Sequence, residues 1–264
     1  MAYSVQNIIN IILDAVPQAM RDDTVDTLKI GDGGMEVSGI VTTFTVTMEV
    51  IKQAESLGAN FIITHEPTFY DHKDQVETWL QNDPVVTKKR QMLAEKKMAV
   101  WRFHDNWHRY TPDGILTGMV RKLHWEQFQD HENPAVFSRA EMMLSQLAEE
   151  LKHCFRLDAI KVIGHPEQKI KKIGFLMGAP GGEWQITFLS HHDVDAVICG
   201  EPVEWQTGEY LRDASIQGRN LSLLLLGHVL SEQAGMHYLV EWLRPKIPGI
   251  PIHYVEVPDL FRSL

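Results

Sequence analysis

Four short apolar runs in this chain end in residues that bind metals or move protons. Residues 61–66 read FIITHE, 100–108 VWRFHDNWH, 196–201 AVICGE and 221–232 LSLLLLGHVLSE, and three of the four carry histidine. Imidazoles and carboxylates together suit zinc, manganese, iron or nickel, while calcium and thiolate sites want other donors. His228 and Glu232 lie four residues apart, so a helix beginning at His228 projects both from one face. His104 and His108 share that spacing, with Asp105 between them. His65 and Glu66 are adjacent and reach a common point only where the backbone leaves extended geometry, as it must at a strand end before Pro67. Five or more donors are enough for one or two ions.

Two other clusters are set aside. Ser190-His191-His192-Asp193 precedes its strand instead of following it, which puts it at the opposite sheet edge, on a helix end or surface loop. Gly178–Gly182 (GAPGG) lacks the lysine and hydroxyl of a phosphate loop and reads as a tight turn into a helix. No GxSxG elbow of a serine hydrolase is present.

The elements that must position these residues alternate. Residues 1–20 are apolar at helical spacing without a basic start, so they read as a core-facing helix and not a signal peptide. Gly31-Asp32-Gly33-Gly34 is a turn, followed by a strand over 37–46, a helix over 48–58 and a strand over 60–64. Asp83-Pro84 supplies an N-cap and a first-turn proline for a helix to about Lys97, and 98–103 is a strand. Ser138 to Glu141 fits a capping box opening a helix with Met142, Met143, Leu147, Leu151 and Phe155 on one stripe. Strands over 159–163 and 172–177, a helix over 184–189, a strand over 195–200, a helix over 204–214, a strand over 221–226, a helix over 231–243 and a last strand near 253–257 complete the order. Residues 111–134 show no clear period and suit a domain junction. Such alternation favours α/β layering with mainly parallel pairing, in which ligands collect beyond the carboxyl ends of strands.

A formal net charge of -10 over 264 residues argues against a nucleic-acid partner, because phosphate contacts need clustered Lys and Arg. The basic runs at 88–90 with 96–97 and at 169–172 are broken by other residues and read as solvated faces. The two cysteines, Cys154 and Cys199, form no CxxC pair, which fits a reducing cytoplasm. No stretch approaches the ~18 apolar residues of a membrane span.

The order of motifs resembles the NIF-three-like (NGG-interacting factor three) proteins, commonly described as GTP cyclohydrolase 1 type 2 homologues. The resemblance covers nearly the whole chain, and Gly227-His228 to Glu232 with the lead Gly58-Ala59-Asn60-Phe61 into His65 are its most specific parts. It implies two intertwined α/β domains with mixed, mainly parallel sheets, a dinuclear metal centre and a toroidal homohexamer. The expected division is 1–130 plus 220–264 as the metal-site domain and 131–219 as an inserted domain. By position the ligands are His65, Glu66, His108, His228 and Glu232. Two of them depart from the family pattern, Glu66 standing for a histidine and His108 for an aspartate. Three imidazoles and two carboxylates remain, and Glu66 or Glu232 would bridge two ions, since an imidazole cannot bridge them in the way a carboxylate can.

The expected function is that of a cytoplasmic hydrolase with two divalent ions (Zn, Mn, Fe or Ni), with His104 or Asp105 orienting or deprotonating the attacking water. The family description implies a nucleotide or other small anionic metabolite as substrate. The rival expectation is a non-catalytic metal-binding assembly, delivery or scaffold protein.

Overall fold

A computed structural model describes residues 2–16, 23–76 and 79–261. The chain divides into two compact units, one of residues 1–118 with 233–257 and one of 119–232 with 258–264. Of the helix expected over 1–20, the described part is α1 (Val5–Asp14); residues 1 and 17–20 lie outside the described residues. Its N-terminus is closed reciprocally, with Asn7 N–H donating to Ser4 Oγ and Ser4 N–H to Asn7 Oδ1. Val5, Ile8, Ile9 and Ile12 are buried at helical spacing.

The first unit is built on a five-stranded sheet, β1 (Leu28–Ile30), β4 (Ala99–Arg102), β3 (Phe61–Thr64), β2 (Ile40–Thr43) and β10 (Ile252–Tyr254), in the order β1-β4-β3-β2-β10. Only β1 runs antiparallel to its neighbour. The three central strands are buried at every position, which is why they read as unbroken apolar runs. Helices α2 (Met48–Ser56) and α3 (Pro84–Glu95) alternate with them, capped by Thr47 and Asp83 side chains. The register sets Thr43 beside Thr64 and Thr64 beside Arg102, so three strands end level.

Strand β1 was not foreseen. It is a three-residue edge strand, half-buried, with little apolar signal of its own. Residues 111–134 contain a helix, α5 (Gly114–Leu123), that no period announced. A second correction concerns Lys89, which is not on a solvated face. It is buried in α3, its ammonium donating to the Thr68 carbonyl and lying over the rings of Phe69 and Tyr70.

The second unit carries the order β5 (Val136–Met143), β7 (Lys169–Leu176), β8 (Ala196–Cys199), β9 (Ser222–Leu225), β6 (Lys161–Ile163), parallel in the middle and antiparallel at both edges. The capping box expected at Ser138–Glu141 is instead strand. Ser138 pairs with Lys172 and Met142 with Ile170, so β5 carries two extra residues between these pairs. Ladder bonds to β7 outweigh the local helix signal there, and α6 (Leu144–Phe155) starts only after the strand ends. Its real box is the Met143 N–H donating to Gln146 Oε1. Helices α7 (Gly182–His191) and α8 (Glu209–Ile216) flank the core of Leu176, Phe188, Val197, Leu211 and Leu223.

Helix α9 (His228–Leu243) follows β9, and its first five residues fall in the second unit and the rest in the first. No helix among the described residues is long and apolar enough to cross a membrane.

Candidate metal centre

In the first unit, chemistry gathers where β3 and β4 end. The chain turns sharply after Thr64: the His65 N–H reaches the carbonyls of Thr43 and Phe44, the Glu66 N–H that of Phe44, and Thr64 Oγ1 donates to the Glu66 carbonyl. Adjacent residues His65 and Glu66 thereby leave the strand's alternation. Beneath them the buried Arg102 donates through Nε to the His65 carbonyl (2.9 Å) and through a terminal nitrogen to that of His72 (2.6 Å). A second terminal nitrogen lies 3.7 Å from Glu66 Oε2.

Two residues past Arg102, His104 opens α4 (Asp105–Arg109), a single turn that ends with His108 and Arg109. A helix this short cannot support itself. It is held from outside by Asp26, whose carboxylate accepts the backbone N–H groups of His104 (2.7 Å), Asp105 (2.9 Å) and Asn106 (2.8 Å) and the Asn106 side-chain amide (2.7 Å). From below, the fully buried Trp107 stacks near Phe103 and Tyr238 and donates Nε1–H to the Gly235 carbonyl. Gly114 is required beside it, because a β-carbon there would fall 2.0 Å from the indole.

Three imidazoles result at one place. Ring centroids lie 4.5 Å apart for His65 and His104, 4.9 Å for His65 and His108, and 5.0 Å for His104 and His108. One ligand atom from each falls within 4.8 Å of the others. Nitrogens bound to a common ion at ~2.0–2.1 Å stand roughly 3.3 Å apart in tetrahedral geometry, so the rings would draw together slightly on binding. His104 Nε2 also lies 3.7 Å from Glu66 Oε1.

Carboxylates orient two of the rings. Asp105 Oδ1 is 3.0 Å from His104 Nδ1 and Asp113 Oδ2 is 3.1 Å from His108 Nδ1; carboxylates accept only, so each Nδ1 carries the proton. Asp105 also accepts from Thr24 Oγ1 and the Val25 N–H. The His104 hydrogen bond first, then those from Val25 and Thr24, hold its carboxyl well below the usual carboxylate range.

The second unit has its own group at the carboxyl ends of β7, β8 and β9. His228, on the first turn of α9, lies between two carboxylates: Nδ1 is 3.0 Å from Glu201 Oε1 and Nε2 is 3.0 Å from Glu232 Oε2. The i,i+4 spacing read from the sequence gives this pairing. Gly178 makes room for it, since a β-carbon there would lie 2.2 Å from Glu232 Oε1, and its φ of +64° is one that glycine tolerates. Ser190 and His191 close α7 as exposed residues ahead of β8, away from these strand ends. Asp26, Asp113 and Glu201 were missed as functional residues. Glu201 ends one of the four marked runs, and Asp113 follows His108 by five residues, but Asp26 has no local signal.

The donor set of imidazoles and carboxylates fits a divalent cation such as zinc, manganese, iron or nickel. Comparison with known proteins agrees on the fold and the family. A "GTP cyclohydrolase 1 type 2 homolog" of Clostridium acetobutylicum is 24% identical over 244 residues, 88% of this chain and 86% of the relative. Another of the same description from Clostridium perfringens is 25% identical, covering 86% of each. Among solved structures, a hypothetical protein of Staphylococcus aureus superposes with a TM-score of 0.80 at 17% identity over 100% of both chains. A Bacillus cereus protein related to NIF3 gives 0.77 at 17% identity, over 100% of this chain and 99% of that one. The family model for Duf34/NIF3 (NGG1p interacting factor 3) matches residues 3–259. This chain is thus a member of the DUF34/NIF3 family.

Proposed function

We propose that this protein is a metal-dependent hydrolase with a dinuclear centre, acting on a nucleotide or another small anionic metabolite. The grouping of His65, His104 and His108 at two strand ends carries the reading. The proposed ligands are those expected from the sequence, His65, Glu66, His108, His228 and Glu232. The description shared by the curated relatives, GTP cyclohydrolase 1 type 2 homolog, supports the substrate class. Divalent ions bound here would lower the pKa of a water and polarise a C=N or phosphate ester bond.

The protein's own residues contribute position and charge. Arg102 fixes the His65 backbone and lies beside the Glu66 carboxylate; Asp113 fixes the tautomer of His108, and Glu201 holds His228 at Nδ1. His104 and Asp105 complete the group, either handling the proton of the attacking water or holding the ion itself.

The test is reconstitution. Protein stripped of metal should regain hydrolysis of nucleotides or phosphate esters on adding Mn or Zn, and His228→Ala should lose at least about 100-fold of it. Equal turnover in the variant rejects the mechanism, and reversible metal uptake without turnover of any substrate supports the delivery or scaffold alternative. The proposed setting is the reducing cytoplasm, consistent with two unpaired thiols. The proposed assembly is a homohexamer, for which light scattering should give about 181 kDa, six times the 30.2 kDa chain; a 30 kDa species would refute it.

A further inference from the structure

We infer that His104 is a metal ligand, joining His65 and His108 in a three-imidazole seat that the first unit completes by itself and that favours Zn or Ni over Mn. The inference rests on the metal-centre reading above and goes beyond its ligand set.

Register is the first reason. Thr64 pairs with Arg102 across β3 and β4, so His65, one residue past its strand end, and His104, two past its own, leave the sheet at the same edge. The single turn of α4 then returns His108 to the same point, its N–H bonded to the His104 carbonyl. The three ring separations differ by no more than half an ångström, so His104 stands as close to each partner as the partners stand to each other.

The second reason is how the rings are held. Imidazoles that bind metals characteristically donate the other ring N–H to a carboxylate, which fixes the tautomer and raises basicity at the ligating nitrogen. His104 has this arrangement with Asp105 in the same form as His108 with Asp113, at 3.0 and 3.1 Å. With Nδ1 engaged, Nε2 is the atom each ring presents to an ion, and His104 Nε2 is the atom that approaches Glu66. Asp105 is in turn anchored by Thr24 and Val25, so its carboxylate is a fixed support and a positioning residue, not a base for water.

The third reason is chemical. His104 is held at its backbone by Asp26, at Nδ1 by Asp105 and on its face by His65, which fixes its ring beside the other two. Three imidazoles are a donor set that holds a divalent ion while keeping a coordination position open, and nitrogen donors favour Zn or Ni over Mn.

X-ray absorption on metal-free wild type given one equivalent of Zn should count three imidazoles around the ion; one or none overturns the inference without any variant. His104→Gln should weaken that first ion about 100-fold, and Asp105→Asn by about 10–100-fold. The double variant His228→Ala/Glu232→Gln should still bind one equivalent of Zn with three imidazoles counted around it; a variant that binds none overturns the claim that the first unit completes the seat. Should His104→Gln bind two ions like wild type, this inference falls while the metal-centre reading stands. If wild type takes up no ion at all, both fall together.

Discussion

Asp26 binds four N–H groups of a segment 78 to 80 residues away, and no motif marks it. The ligand candidates His65, His108, His228 and Glu232 were legible because they end apolar runs, a signal that local sequence carries. Their supports were not, because a carboxylate that caps or orients something remote looks like any surface acid in one dimension. Lys89 makes the same point with opposite charge, reading as part of a basic run yet buried against the loop that follows Glu66. Burial lowers its pKa from 10.5 to about 8. Between those values the folded chain binds fewer protons than the unfolded one, so stability is lowest below pH 8 and rises toward pH 10.5. Relative to Lys89→Met, wild type should gain roughly 2–3 kcal/mol between pH 7 and pH 10 in urea melts. A difference that stays flat across that range would mean the ammonium is hydrated.

Among elements, strands β2, β3, β4, β8 and β9 and helix α3 were readable from β-branched runs and from Asp83-Pro84. Helix α5 was not, although Ile115, Leu116, Met119, Val120 and Leu123 are buried along it. Gly114 and Gly118 hide it, since glycine scores against helix. Both have a packing reason. A β-carbon on Gly118 would lie 2.4 Å from the Ala234 carbonyl oxygen, and one on Gly235 would lie 2.5 Å from the Ile115 α-carbon, so α5 and α9 approach backbone to backbone. The sequence records that contact only as missing side chains. Gly235→Ala should therefore destabilise the protein by about 1–3 kcal/mol despite alanine's better helix propensity. A thermal melt that shows the variant unchanged or more stable would contradict the close approach. The misplaced capping box at Ser138–Glu141 has a different cause, a short local motif overridden by pairing between β5 and β7.

For the molecule as a whole, the alternation of strands and helices announced α/β layering, and each unit is built on a five-stranded mixed sheet with helices. Helices α5 and α9 each run across the division between the two units. In each unit the chemistry-bearing side chains gather at the carboxyl ends of parallel strands, His65 and His104 after β3 and β4, Glu201 and His228 after β8 and β9. That repetition explains why four sequence runs looked alike. What these side chains do depends on whether they hold cations. Elemental analysis of protein purified without chelator measures this directly: about two equivalents of Zn, Mn, Fe or Ni per chain are expected, and a chain that carries none, and takes up none when they are supplied, would contradict it.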